Sequence, residues 1–475
     1  MDWFTDRRIQ AILVLVQLSL CLPFINSFSI DLDEPFSVYW AQLDLKETLA
    51  FFAEGNNPPL HNILLHYWEK MFGIGPVSVR SLSLLFSVLT IPVLYALGKK
   101  LLNKPYAVIA CGLFIFSTFN HYHAIEARMY SLMTLLAVLI FYELYLLIFE
   151  NTKGFWRLAL WNALMLYTHY LGFFIIGCEL LVFLLFTKHL DRKKLIYFSV
   201  SLLITALLYL PSLITFFKRF SDFASSGTWV AEPHWTELYG NVVRFLNGKE
   251  AVIMLIGVAV FFVFLWIFGR RQAIGALLRK KELLFLVSIF AIPYLGMYIF
   301  SIVVQPVFLD RYLLYTTPFL YLFIAAIFYL LSTDVANKYF LILIIAPLMV
   351  YCQYKPDNNR DADVMANWVN EQLTGNDMVY LAPGYYDLTF VYYFDRELFS
   401  DYENRREDTT DNFQWLYHKD ALQIDPNIDQ VFFVDAHSED WYPENGIKDS
   451  LSLRFNLVDQ KEFKGGHIIY RFLND

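Results

Sequence analysis

The sequence predicts a polytopic membrane protein: an all-α membrane domain over residues 1–352, then a soluble α/β domain over residues 353–475. Two observations carry this reading. The chain is 57% hydrophobic and only 17% charged over 475 residues, more apolar surface than a soluble core of that length can bury. Apolar runs of the length that about 30 Å of hydrocarbon demands also recur along the chain, and they stop near Gln353.

The runs fall near residues 9–29, 77–98, 105–121, 128–149, 157–173, 174–187, 195–216, 251–268, 283–304, 313–331 and 338–352, about eleven transmembrane helices. The 157–187 block reads either as two short spans pinched at His169-Tyr170 or as one long helix with a re-entrant piece. No small-x-small pattern ends the first run, so an uncleaved first helix is expected rather than a removed signal peptide.

Charge separates the two domains. Gln353–Asp475 holds 24 acidic and 11 basic residues, whereas the rest of the chain holds 21 and 26. Neither part carries the basic face that nucleic-acid binding needs. Within the membrane domain the basic residues fall on alternate loops: Arg7-Arg8, Lys99-Lys100 with Lys104, Lys153 with Arg157, Lys188 with Arg192-Lys193-Lys194, Arg270-Arg271 with Arg279-Lys280-Lys281, and Lys338. The positive-inside bias then places the N-terminus in the cytoplasm and the C-terminal domain outside.

The first external loop, 30–76, is too long for a hairpin. Leu43–Phe52 and Leu60–Phe72 place leucines and aromatics at helical spacing, which predicts two helices lying in the membrane interface. In the tail, Asp361–Gln372 reads as a helix, and Met378–Ala382, Leu388–Tyr393, Gln430–Val434 and His467–Phe472 read as strands. The four cysteines, Cys21, Cys111, Cys178 and Cys352, lie in or at the end of apolar runs and form neither a disulfide framework nor a CxxC metal pattern.

The conspicuous polar residues gather on the external side. Asp33-Glu34 follows the first span and stands before Pro35. A partly desolvated carboxylate there can take a proton from an attacking hydroxyl, or it can simply cap an interfacial helix. Arg128 ends His121-x-His123-x-x-Glu126 at the mouth of a span, where its planar fork suits a phosphate or a lipid headgroup. Arg311, in FLDRYLLY, is a second phosphate candidate or an ion-pair partner of Asp310. His123 and Glu126 share a helical face at i, i+3 and are the metal candidates, with hydrogen bonding the competing role. Glu143 and Glu179 lie well inside apolar spans and fit interhelical hydrogen bonds or snorkelling.

In order, DLDEPFSVYWA, NNPPLHNILLHYWEKMFG, VSVRSLSLLFSVLTIPVLYALGKKLL and EARMYSLMTLLAVL resemble the N-terminal half of GT-C class, polyprenyl-phosphate-dependent glycosyltransferases. The resemblance is to the bacterial group that includes protein O-mannosyltransferase-like and aminoarabinose-transferase-like enzymes. It covers roughly residues 9–190 and recurs in RYLLYTTPF. It implies a cytoplasmic-membrane enzyme that moves a sugar from a polyprenyl-phosphate carrier to a lipid, glycan or protein acceptor on the outer face. It further implies Asp33 as base with Glu34 beside it, and Arg128, Tyr130, Arg311 and Tyr312 at the donor phosphate. The PPLH histidine matches His61 as a substrate contact, and His169 and Tyr170, polar residues on the same external face, are further substrate-contact candidates. The resemblance requires no cofactor and leaves a divalent metal cation open.

Two other functions fit a polytopic chain. A glycan polymerase or ligase would carry its large loop late, whereas here it is early. A lipid-linked sugar transporter or flippase would place charges near the bilayer midplane at a repeat interface, and no such pattern stands out.

Overall fold

The computed structural model describes residues 2–54, 57–150, 154–226, 230–268, 280–333, 336, 339–356, 360–402, 412–424 and 427–474. Lys153, Arg270, Arg271, Arg279 and Lys338 of the basic loops lie outside the described residues. Chain contacts divide the protein into two compact units. One comprises Met1–Ile25, Asp44–Trp68 and Ser78–Pro356; the other comprises Asn26–Leu43, Glu69–Val77 and Asp357–Asp475. The second unit thus includes a piece of the first external loop as well as the tail.

Along the membrane part the helices are α1 (Asp2–Cys21), α2 (Glu34–Gln42), α3 (Leu45–Glu54), α4 (Leu60–Phe72), α5 (Pro76–Leu101) and α6 (Lys104–Ile115). Then follow α7 (Thr118–Ala124), α8 (Tyr130–Phe149), α9 (Phe155–Thr168), α10 (Gly172–Leu185), α11 (Arg192–Tyr209) and α12 (Leu213–Ser226). The series closes with α13 (Thr236–Phe245), α14 (Lys249–Phe268), α15 (Lys280–Val303), α16 (Thr317–Leu330) and α17 (Ile342–Val350). The two helices expected in the first external loop are α3 and α4; α2 is an additional one, started by the Asp33-Glu34-Pro35 sequence itself, with Asp33 at its N-cap.

Each of the expected apolar runs contains a helix among the described residues, and the runs differ in length. Among the described residues, seven stretches are long and apolar enough to cross a membrane: Thr5–Phe24, Pro76–Leu101, Tyr130–Phe149, Arg192–Lys218, Lys249–Phe268, Lys281–Val303 and Arg311–Leu330. The other four runs give α6, α9, α10 and α17, of 12, 14, 14 and 9 residues. At about 1.5 Å per residue none reaches across about 30 Å alone. The 157–187 block is indeed interrupted at His169, whose extended backbone (φ −156°, ψ 141°) ends α9.

Small residues and buried polar pairs hold this unit together. Gly112 lets Ile345 of α17 lie directly against the α6 backbone. Glu143 of α8 is gripped by the Arg157 fork at 2.7 and 3.0 Å, and Glu179 of α10 accepts from Asn162 of α9 at 2.7 Å. Both are interhelical pairs, and burying such a group unpaired would be costly. Lys194 closes the end of α8 by donating to the carbonyl of Ile148 at 2.6 Å.

The second unit is built on a five-stranded sheet in the order β2-β1-β3-β5-β4, where β1 is Asp377–Ala382, β2 Phe413–Trp415, β3 Gln430–Asp435, β4 Asn456–Glu462 and β5 Ile468–Leu473. Strands β2, β1 and β3 run parallel; β5 and β4 are antiparallel to their neighbours. Every residue of β1 is buried, as expected of a parallel strand covered on both faces. One face packs Met378, Tyr380, Val431, Phe433 and Phe472 with Ile447, Leu451 and Phe455.

The expected helix is α18 (Ala362–Asn370). The expected strand Leu388–Tyr393 is a correction: it is a helix, α19 (Asp387–Phe394), followed by α20 (Arg396–Ser400). Its β-branched and aromatic composition suggested a strand. However, Phe390 and Phe394 stack at 5.2 Å across one helical turn, and tertiary burial of Phe390 overrides the propensity. Strand β4 was not legible because it is exposed along its whole length and shows no alternation.

Candidate active site

The arginines come first, in the membrane unit. Arg128 sits buried between α7 and α8. Its N–H donates to the Glu126 carbonyl at 2.7 Å, and its own carbonyl accepts from the Ser83 hydroxyl of α5 at 3.1 Å. Its guanidinium carbon lies 6.0 Å from the Tyr130 ring centroid. Arg311 opens a 3-10 turn, Arg311–Thr316, with its guanidinium carbon 5.8 Å from the Tyr312 centroid. The Tyr130 and Tyr312 rings lie 6.3 Å apart, and the His169 ring meets Tyr312 edge-on at 5.2 Å.

The charges of both arginines act on Tyr130 and His169, and that of Arg128 acts on His61. The structure therefore gathers Arg128, Arg311, Tyr130, Tyr312, His61 and His169 into one locality. Tyr170 packs its ring on Phe216 of α12. Asp310, the other possible partner of Arg311, accepts the Arg311 N–H at 2.7 Å and forms an ion pair with Arg244 of α13.

The histidines here are neutral hydrogen-bonding groups. His169 Nδ1 accepts from the Leu171 N–H at 3.1 Å, so in the neutral ring the hydrogen sits on Nε2. On α4, burial and then the Arg128 charge push His61 down to about 3. Its Nε2 has no partner among the described residues.

The metal candidates are committed to each other. His123 Nδ1 meets Glu126 Oε2 at 2.5 Å, and Ser131 anchors the His123 carbonyl at 2.8 Å. Among the described residues no three His, Cys, Asp or Glu side chains converge as metal ligands. His123 and Glu126 supply two of the donors that a divalent cation would need.

The carboxylates belong to the other unit. Asp33 is the half-buried N-cap residue of α2, yet its side chain makes no capping hydrogen bond; its carbonyl accepts from the N–H and hydroxyl of Ser37, each at 3.2 Å. The carboxylate is thus not used to terminate the helix. Glu34 is buried in the first turn of α2, where a negative charge is favoured by the helix dipole.

Sequence reasoning gave no role to Asp31, which is 2% exposed and lies beside Arg360 at 3.7 Å. Burial pushes its carboxyl up to about 6, against the opposing charge of Arg360. Nor did it single out Glu69 of α4, buried with both carboxylate oxygens unpartnered among the described residues and pushed up by burial to about 9. The pairing of Asp31 with Arg360 spans most of the chain and leaves no local pattern. Glu69 reads in sequence as one polar residue of an amphipathic helix.

Residues 56–214 match the family model described as dolichyl-phosphate-mannose-protein mannosyltransferase. No curated protein matches the chain in sequence. Among solved structures, ArnT from Cupriavidus metallidurans bound to undecaprenyl phosphate superposes with a TM-score of 0.60 at 10% identity, covering 99% of this chain and 98% of that one. The Archaeoglobus fulgidus oligosaccharyltransferase in complex with Zn and sulfate superposes with a TM-score of 0.53 at 12% identity, covering 98% and 73%. AglB from the same organism, in complex with an inhibitory peptide and a dolichol-phosphate, gives 0.51 at 11% identity, covering 99% and 74%. Over nearly its whole length the chain shares the fold of ArnT and the archaeal oligosaccharyltransferase, and over 56–214 its sequence resembles the dolichyl-phosphate-mannose-protein mannosyltransferase family.

Proposed function

We propose that the protein is a glycosyltransferase that moves a sugar from a polyprenyl-phosphate carrier to an acceptor at the outer face of the cytoplasmic membrane. The observation that carries this reading is the Arg128–Tyr130 and Arg311–Tyr312 pairing, two guanidinium groups in one buried locality with neutral His61 and His169. Phosphate is the leaving group of such a donor, and fixed cations at a site of low dielectric stabilise the charge it develops. ArnT binds undecaprenyl phosphate and AglB dolichol-phosphate in the matching folds, which supports the same donor class here.

In this reading Arg128 and Arg311 hold the phosphate, and Tyr130 and Tyr312 hold the arginines. The Nε2–H of His169 and the open Nε2 of His61 give neutral hydrogen bonds to substrate. Asp33 takes the proton from the acceptor hydroxyl as that oxygen bonds to the anomeric carbon, and the bond to the phosphate oxygen breaks. Glu34 supports it in the same turn. A single displacement inverts the anomeric centre.

The test has two arms. Full-length protein in nanodiscs is titrated with undecaprenyl phosphate, comparing wild type with Arg128→Ala and Arg311→Ala. Cell-envelope lipids and glycans are compared by mass with and without the gene. Loss of a sugar-sized mass from one envelope component, with binding weakened in both variants, is the expected result. Accumulation of lipid-linked sugar on one leaflet with no change in any acceptor would replace transfer by transport.

A further inference from the structure

Asp33 is delivered by a tight turn, and the turn is built by Asp31. The Asp31 carbonyl accepts from the Glu34 N–H at 3.1 Å, closing residues 31–34. Between them Leu32 takes the left-handed conformation, φ +57°, which a leucine rarely adopts. Its side chain is 45% exposed and so packs too little to hold that conformation. Asp31 Oδ1 holds it instead, accepting the Leu32 N–H at 2.5 Å.

Asp31 is in turn fastened to the C-terminal chain. Arg360 Nη1 lies 3.7 Å from the same Oδ1. On either side, Ser29 donates its hydroxyl to Asp363, and the Ile30 N–H donates to the Tyr393 hydroxyl at 2.6 Å. Oδ2 has no partner among the described residues, so the hold on the carboxylate comes from the Oδ1 side. Besides Arg360, the ionisable groups acting on Asp31 or acted on by it are Glu34 and the Tyr386 hydroxyl.

We propose that Asp31 is a positioning residue: pinned by Arg360, it fixes the 31–34 turn and so aims the Asp33 carboxylate. This rests on reading Asp33 as the base. The C-terminal unit then sets the geometry of the reaction rather than only offering a surface to the acceptor. Because burial raises Asp31 to about 6, acidification through that pH removes its charge and loosens its pairing with Arg360. The transfer rate falls there even where donor still binds.

The experiment uses full-length protein in nanodiscs carrying Asp31→Asn, Arg360→Gln, Arg360→Lys, the Asp31→Asn/Arg360→Gln pair, or Asp33→Asn. Turnover is read on a panel of undecaprenyl-phosphate hexoses and pentoses with total envelope glycolipid as acceptor, and amide exchange is followed at Leu32 and Glu34. The expected result is a loss of kcat of about 10-fold or more in Asp31→Asn and Arg360→Gln with donor KM unchanged. The double variant should be no worse than the poorer single one, and Arg360→Lys should recover part of the loss. The acid limb near pH 6 should vanish in Asp31→Asn, and exchange should quicken at both amides. Normal kcat in Asp31→Asn beside a dead Asp33→Asn overturns the positioning role alone. Lost kcat with unchanged exchange also overturns it. Turnover in Asp33→Asn overturns the base assignment itself.

Discussion

Tyr130 and Tyr312 stand 6.3 Å apart, ring to ring, and each lies under its own arginine, at 6.0 Å for Arg128 and 5.8 Å for Arg311. One comes from the start of α8 and the other from the turn that leads into α16. An arginine stacked on a ring keeps its charge and loses some of its rotamer freedom, so little further ordering is needed when an anion arrives.

Removing either guanidinium should therefore weaken the donor more than the acceptor. Arg128→Ala and Arg311→Ala are each expected to cost about 2 kcal/mol in undecaprenyl phosphate affinity, roughly 30-fold. Lysine at either position should recover less than half of that loss, because a point charge cannot reproduce the fork. Titration in nanodiscs by calorimetry or fluorescence checks both numbers; equal loss of acceptor binding would move the phosphate site elsewhere.

Asp33→Asn should abolish transfer and leave the fold intact. Asparagine keeps the size and shape of this half-buried side chain, so the stability cost should stay within about 1 kcal/mol. Thermal unfolding of the purified variant and its turnover give the two halves of the prediction. A variant that turns over at the wild-type rate sinks the assignment.

Two buried groups on α4 should tilt stability in opposite directions with pH. His61 is held down to about 3 from an ordinary 6.5, so the native state binds fewer protons than the unfolded chain between those values, and stability is lost as pH falls below 6.5. Glu69 is pushed up to about 9 from 4.5 by burial, so the native state keeps a proton that the unfolded chain releases, and stability is lost as pH rises from 4.5 to 9. Above 6.5 only the second slope remains. Glu69→Gln should flatten the decline in Tm between pH 6.5 and 9, whereas His61→Gln should flatten only the acid side. A Tm profile unchanged by Glu69→Gln would show that its carboxyl is not held protonated.

Tyr386 carries a buried hydroxyl with no hydrogen-bond partner among the described residues. Its ring meets His467 at 4.8 Å. Tyr386→Phe keeps that contact and removes the unsatisfied group, so it should leave stability unchanged or raise it by about 1 kcal/mol. A fall in Tm would reveal a partner for the hydroxyl.

Much of this was legible in the sequence. Hydropathy placed every apolar helix, because a membrane asks for length and little else. Apolarity does not record where a helix breaks, as at the extended backbone of His169. Motif order pointed to Arg128, Arg311 and His61, and the external-face polar residues to His169; Arg128 and Arg311 lie against Tyr130 and Tyr312, and His169 meets Tyr312. What could not be read is long-range pairing between ordinary residues. Asp31 is paired with an arginine from the far end of the chain, which no local pattern announces. Phe390, in a run of strand-favouring residues, is buried in a helix.

Residues 26–43 and 69–77 group with 357–475 rather than with the helices they adjoin in sequence. Tyr39 packs edge-on to Phe399 and Tyr402, Gln42 donates to the Phe399 carbonyl at 3.2 Å, and Tyr392 donates to the Ile74 carbonyl at 2.7 Å. The portable module is therefore discontinuous. A chimera that exchanges only the C-terminal segment with a homologue would graft one half of a fitted pair onto a foreign half. Exchanging all three segments together keeps the aromatic joint and the 31–34 turn as one inherited piece.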